Sequence, residues 1–176
     1  MEEFVEKAPK LPDDIKWHFV GHIQSNKAKK LVSIPNLALV ETVDSVKLAN
    51  TLNKELVKLE RKEPLPILVQ VLTGGEDSKF GVQPSELPAI VTHIQTDCPL
   101  LKFSGLMSMG LLHDVEGFKA MAALKQDLME QSGLTEETFQ LSMGTSADYE
   151  EAVLAGATQV RLGTTIFGAR DYPAKK

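Results

Sequence analysis

The run L-S-M-G-T-S-A-D-Y-E-E-A-V-L-A-G-A-T-Q-V-R-L-G-T-T-I-F-G-A-R, residues 141–170, carries two strand-and-turn units back to back. Apolar residues alternate over 139–143 and predict a short strand; Gly144 breaks it, and a helix over 147–155 is entered near Ser146. Asp148, Glu150 and Glu151 fall in the first turns, where acidic side chains suit the positive end of a helix. Gly156 can take the left-handed conformation of a C-cap, and residues 159–162 predict the next strand, which ends at Gly163-Thr164-Thr165. Each turn offers unpaired N–H groups and a hydroxyl at one end of a parallel sheet, which is what holding a phosphate or another dianion requires. In (β/α) barrels the phosphate site commonly lies after the last two strands, whose loops converge at the C-terminal mouth. Both turns also fit ordinary βα loops with good N-caps.

Within Q-V-R-L-G, Val160 and Leu162 share one face of the strand, while Gln159, Arg161 and Gly163 share the other. A guanidinium on a central strand is costly to bury unless it meets an acceptor. A ligand nitrogen, a carboxylate or a neighbouring acidic side chain would each satisfy Arg161, and a structural ion pair is the plain alternative.

Further out, 176 residues that are 43% hydrophobic and 24% charged have the balance of one globular domain, taken as 1–176. A net charge of −5 without any basic block argues against a nucleic-acid partner. No apolar run approaches the roughly 18 residues of a spanning helix, and M-E-E-F-V-E-K does not read as a signal peptide, so no membrane association is expected. Cys98 is the single cysteine, too few for an internal disulfide or a metal cluster, and fits a reducing compartment such as the cytosol.

Residues 2–8 predict the last turns of a helix that Pro9 and Pro12 end. Strands are predicted at 16–21, 38–43, 67–72 and 102–109, and helices at 27–32, 45–62, 85–96 and 116–131. The 45–62 helix, capped by Asp44 or Ser45, places Val46, Leu48, Ala49, Leu52, Leu56, Val57 and Leu59 at helical spacing. With the two strands of the opening run, six strands alternate with helices, an α/β pattern with a parallel sheet. An open doubly wound sheet would be expected to carry G-x-G-x-x-G or a P-loop after its first strand, and neither is present. An eight-stranded barrel typically needs about 250 residues.

The segments W-H-F-V-G-H-I-Q-S-N-K (17–27), E-T-V-D-S (41–45), G-L-M-S-M-G (105–110), L-S-M-G-T-S-A-D-Y (141–149) and V-R-L-G-T-T-I-F-G-A-R (160–170) resemble the pyridoxal phosphate homeostasis protein family. The resemblance runs from about Lys7 to Tyr172. It implies a (β/α)8 TIM-barrel-like fold of the alanine racemase N-terminal-domain type. It further implies binding of pyridoxal 5′-phosphate (PLP), and a non-catalytic role in buffering the cofactor and delivering it to PLP-dependent apoenzymes. Carried over by position, Ser146 and the backbone of Gly163 and Thr164 would hold the phosphate and Arg161 would meet the pyridine nitrogen. Such an arginine leaves that nitrogen unprotonated and weakens the ring as an electron sink, although racemases of this fold use the same arrangement. His18 and Met143 lie on strands whose ends should line the same mouth; for His18 a hydrogen-bonded core histidine is the plainer explanation.

The departures from the family pattern are specific. The Schiff-base lysine of the family stands at the end of the first strand in a V-S-K-x-x-P context, and the second strand ends in a G-E-N-Y-like turn; neither occurs here. Met1 aligns within the helix after that second strand, so the first two strands, the first helix and the covalent lysine are expected to be missing, leaving an incomplete barrel. Thr145 stands where G-M-S is usual and Leu72 where asparagine is common. Lys27 and Lys79 follow strand ends and could approach the mouth, with solvated surface lysines as the default. A complete barrel would be a monomer. Six of eight strands would leave open edges for association, and marginal stability unless a partner or second copy closes the seam. Cytoplasmic residence is expected, and the family also admits a mitochondrial one. Two alternatives stand beside the carrier: a module that binds phosphate or PLP without covalent attachment, and a racemase-like PLP enzyme, for which 176 residues leave no second domain.

Overall fold

The computed structural model of the chain describes residues 1–74 and 80–169. Lys79, Arg170 of the last motif and the end of the resemblance at Tyr172 lie outside them. After helix α1 (Glu2–Lys7), six strands alternate with helices: β1 (Trp17–Phe19), α2 (Ala28–Val32), β2 (Leu37–Val43), α3 (Val46–Lys58), β3 (Leu65–Gln70), α4 (Leu87–Asp97), β4 (Leu101–Met107), α5 (Val115–Ser132), β5 (Gln140–Thr145), α6 (Tyr149–Leu154), β6 (Gln159–Arg161) and α7 (Thr164–Phe167). The strands form one sheet in the order β1-β2-β3-β4-β5-β6, every neighbouring pair parallel. A doubly wound sheet reverses its order at a switch point; this one does not, so that alternative falls and the order is that of a barrel wall.

The sheet is also strongly curled. Strands β2 and β5 are three positions apart, about 14 Å in a flat sheet at the usual strand spacing. Yet the Glu41 carboxylate on β2 and the Ser142 hydroxyl on β5 are 2.6 Å apart. Neither side chain spans such a gap, so the sheet must bend to bring its inner faces together. Inside the curl Leu39, Leu68 and Met107 make a small apolar cluster of their own. The helices pack on the outer face, where Leu31, Leu52, Leu56, Val91, Ile94 and Met121 join strand residues such as Val40, Ile67 and Leu141 in the main core.

Local chemistry sets the element ends. The Ser45 hydroxyl accepts the Leu48 N–H at 3.2 Å and starts α3. That helix stops at Lys58, short of the expected 62, because Glu60 turns left-handed at φ 52°. Of its apolar positions Leu48, Ala49, Leu52 and Leu56 are buried, while Val46, Val57 and Leu59 are exposed, so the core stripe is narrower than the sequence spacing suggests. Asp114 caps α5 through the Gly117 N–H, and Gly133 at φ 70° ends it. Strand β1 is three residues rather than six, and β3 begins at Leu65, so Pro66 sits inside it. Pro66 pairs with Lys102 of β4, while pairing to β2 begins at Ile67, so its missing N–H falls before the ladder on that side.

Around Gly144 the structure departs from expectation. Gly144 lies within β5, and the strand continues to Thr145. Its φ is 84°, and a Cβ there would come within 2.5 Å of the Ala152 Cβ, so the glycine admits close packing of α6 rather than breaking the strand. Helix α6 starts at Tyr149, later than the expected 147. Asp148, read from sequence as an acid at the helix dipole, is buried and works as a staple. It accepts the Thr145 N–H at 2.7 Å, the Thr145 hydroxyl at 2.9 Å and the His113 N–H at 3.1 Å, tying the loop after β4 to the turn after β5. Burial pushes the Asp148 carboxyl up, but these hydrogen bonds and the nearby His113 outweigh it and hold it below its ordinary value.

Two outcomes follow. Gly105 has φ 145° and its Cβ would lie 1.9 Å from the Gln140 carbonyl oxygen on the neighbouring strand. Replacing it with alanine is expected to cost more than about 3 kcal/mol in urea unfolding, and a loss under 1 kcal/mol would contradict this β4–β5 contact. Because the folded Asp148 value is depressed, its contribution is full above the unfolded carboxylate range near about pH 4 and is lost as pH falls through the folded value. Asp148→Asn is therefore expected to lower the urea midpoint at pH 7 and to flatten the decline of stability below pH 4; an unchanged acid slope would speak against the staple.

Candidate functional site

The loops that follow β5 and β6 meet at one end of the sheet. Ser146 comes directly after β5, and its hydroxyl oxygen accepts two backbone N–H groups from the loop after β6, Gly163 at 3.0 Å and Thr165 at 3.3 Å. The Gly163 carbonyl in turn accepts the Ile166 and Phe167 N–H groups at 3.1 and 2.9 Å, which turns the first residues of α7 back toward Ser146. One oxygen atom thus collects two convergent donors, the geometry a phosphoryl oxygen would meet. Gly163 has φ −104°, which any residue can adopt, and a Cβ there would touch no protein atom within 4 Å. Neither backbone strain nor packing accounts for the missing side chain; the space beside the N–H groups is open to a ligand.

A cleft of about 940 Å³ opens over this cradle, lined among others by Leu112, Thr145, Ser146, Arg161, Gly163 and Thr164. Arg161 closes its inner side. One terminal nitrogen, Nη1, donates to the Ser142 hydroxyl at 3.1 Å, and Nη2 donates to the Ser108 carbonyl at 2.9 Å. The partners are a hydroxyl and a carbonyl, not the carboxylate of the simple ion pair weighed from sequence. Burial lowers the guanidinium's pKa, opposed by the charges of Glu41 and then Asp148. An arginine shifted in this way still keeps its proton at neutral pH.

Behind Ser142 the polar chain continues. Its hydroxyl donates to Glu41 Oε2 at 2.6 Å, and Glu41 Oε1 is 3.2 Å from His18 Nδ1. A carboxylate has no proton to give, so His18 donates from Nδ1. Glu41, Ser108 and Ser142 are buried. The Ser108 hydroxyl, beside the carbonyl that holds Arg161, has no hydrogen-bond partner among the described residues.

Of the residues singled out from sequence, the structure brings Ser146, Arg161, Gly163 and Thr164 to one cleft. Met143 does not join them. It is fully buried in the main core among the outer helices, because it alternates with Ser142, whose side chain takes the inner face. His18 stands on the edge strand with 44% of its side chain exposed, so it is no core histidine; it reaches the site through Glu41 and Ser142. Lys27 pairs with Glu2 of α1 at 3.1 Å. The sequence reading missed Glu41, Ser142, Ser108 and the Thr165 N–H. Glu41 had a legible signal, an acid inside the apolar strand A-L-V-E-T-V, which must find a partner when buried.

The family described as alanine racemase, N-terminal domain, matches residues 2–171. The pyridoxal phosphate homeostasis protein of Mus musculus is 46% identical over 186 residues, covering 99% of this chain and 68% of the relative. PipY of Synechococcus elongatus, in a structure without PLP, superposes with a TM-score of 0.80 at 31% identity, covering 93% of this chain and 79% of PipY. The structure of PipY with PLP bound gives a TM-score of 0.75 at 29% identity, covering 93% of this chain and 74% of PipY. The six-stranded curled sheet with its outer helices is the wall of an alanine racemase-type TIM barrel, and the chain belongs to the pyridoxal phosphate homeostasis protein family.

Proposed function

We propose that the chain binds PLP at the junction of the loops after β5 and β6, as one binding domain, and serves cytoplasmic cofactor homeostasis by holding and releasing it. The observation that carries this reading is the Ser146 hydroxyl seated on the Gly163 and Thr165 N–H groups in a cleft whose inner wall is Arg161. PLP has a dianionic phosphate at one end and a pyridine nitrogen at the other, and the site offers donors to both. The Gly163 and Thr165 N–H groups and the Ser146 hydroxyl, which now bond to one another, would hold the phosphate. Thr164, which lines the same cleft at the start of α7, would add its N–H. Arg161 offers a donor to the ring nitrogen and, being protonated itself, leaves that nitrogen without a proton. The open Gly163 face lets the phosphate approach the backbone.

Free PLP supplies an aldehyde and an electron-accepting ring to the enzymes that use it. Among the described residues, those lining the cleft are Arg161 and neutral side chains or glycines; none is a carboxylate, imidazole or amine able to move a proton at the cofactor. This favours storage and transfer to PLP-dependent apoenzymes over racemase-like turnover. It also favours a non-covalent hold by these residues, through phosphate and ring nitrogen. The PLP-bound PipY structure supports the choice of ligand.

Titrating PLP into the chain is expected to saturate one site, competed by inorganic phosphate, with no borohydride-trappable mass at residues 1–176. Ser146→Ala is expected to weaken PLP binding about 10- to 100-fold, the worth of one hydrogen bond to a charged group. Unchanged affinity in that variant, or steady racemisation of an amino acid by the chain, would overturn the reading.

A further inference from the structure

We propose that Glu41 is a positioning residue of the cofactor site, acting through the Ser142 hydroxyl to aim the Arg161 guanidinium at the pyridine nitrogen. The inference rests on the proposed PLP site and adds to it a residue that does not touch the ligand. Its basis is the direction of the hydrogen bonds. Glu41 Oε2 lies 2.6 Å from Ser142 Oγ, and a carboxylate can accept but not donate, so the single serine proton is committed to Glu41. The lone pairs of Ser142 then face Arg161 Nη1 at 3.1 Å. The chain therefore runs one way, from arginine to serine to glutamate. With Nη2 held by the Ser108 carbonyl at 2.9 Å, both terminal nitrogens are fixed and the guanidinium plane is set.

Nothing else in the described interior accounts for a carboxylate at this position. Glu41 is 3% exposed, and burying such a group is costly unless it is satisfied. Both its oxygens are engaged, one by Ser142 and the other by His18 Nδ1 at 3.2 Å. A neutral acceptor could tie β2 to β5 equally well. A carboxylate does more: it fixes the polarity of the serine bridge and places a negative charge one residue behind the arginine. A hydroxyl free to rotate could instead donate elsewhere and leave Arg161 Nη1 without its acceptor.

A strut that merely holds the sheet curled and a residue that aims Arg161 are separated by Glu41→Gln, which keeps the size and can keep both hydrogen bonds while removing the charge. The readouts are the ring-nitrogen resonance of ¹⁵N-labelled PLP bound to the full chain, the PLP dissociation constant, and the dissociation constant of inorganic phosphate. The expected result is a ring-nitrogen resonance displaced toward that of Arg161→Gln, PLP affinity about 5- to 10-fold weaker, and phosphate affinity changed less than about 2-fold. Ser142→Ala, which cuts the bridge and leaves Glu41 in place, is expected to displace the resonance in the same direction and decides the matter should Glu41→Gln not fold.

An unchanged resonance in both variants, with wild type and Arg161→Gln clearly different, would overturn the role of Glu41 and leave the PLP site standing. Parallel loss of phosphate and PLP binding would make Glu41 a strut and equally overturn it. If wild type and Arg161→Gln give the same resonance, or wild type does not bind PLP, the reading of the site itself fails and the inference falls with it.

Discussion

The contact between Glu41 and Ser142 couples the shape of the sheet to the chemistry of its open end. The two residues sit on strands three apart, and their 2.6 Å hydrogen bond exists because the sheet curls. In a flat sheet Glu41 would keep only His18 of the neighbouring β1, and Ser142 and Arg161, on the neighbouring β5 and β6, would lose their tie to the carboxylate. Curling brings them into one chain of partners from His18 through Glu41 and Ser142 to Arg161, with the Ser108 carbonyl on the other side. Glu41, Ser142 and Arg161 are thereby satisfied by one another, which is the condition for burying them at all.

The two faces of the sheet carry different duties. Stability resides outside, where α2 to α6 cover the strands with a continuous aliphatic core that includes Met143 and Leu141. The inner face has a small apolar cluster, Leu39, Leu68 and Met107, and beyond it the polar chain. The proposed phosphate cradle is built from backbone N–H groups of one loop and a hydroxyl of the next, so it depends on how β5 and β6 sit side by side. The Asp148 staple holds the neighbouring turn: by bonding Thr145 and His113 together it fixes the turn before Ser146 against the loop carrying Leu112 over the cleft.

Much of this was legible in the residues. Glycine turns after consecutive strands marked the cradle, and an arginine on the inward face of a strand demanded an acceptor, so Ser146, Gly163, Thr164 and Arg161 were found together. The alternation of helices and strands gave the parallel sheet, while the motif resemblance chose a barrel over an open sheet. What stayed hidden depended on distances across the fold. Gly144 looked like a strand end because φ freedom and close packing leave the same residue in the sequence; contact with Ala152 tells them apart. Met143 was assigned to the mouth because its strand leads there, but a one-residue step along a strand reverses the face. Glu41 belongs with residues of β5 and β6 about a hundred positions away, and no local pattern pairs them.

The central claim is that a dianion and a pyridine nitrogen are gripped at opposite ends of one cleft by residues of adjoining strands. A crystal structure of the chain soaked with PLP tests it most directly. The account predicts the phosphate within hydrogen-bond distance of the Ser146 hydroxyl and the Gly163 and Thr165 N–H groups, with the ring nitrogen facing the Arg161 guanidinium. Density for PLP elsewhere, or a phosphate in the cradle with the ring turned away from Arg161, would contradict it.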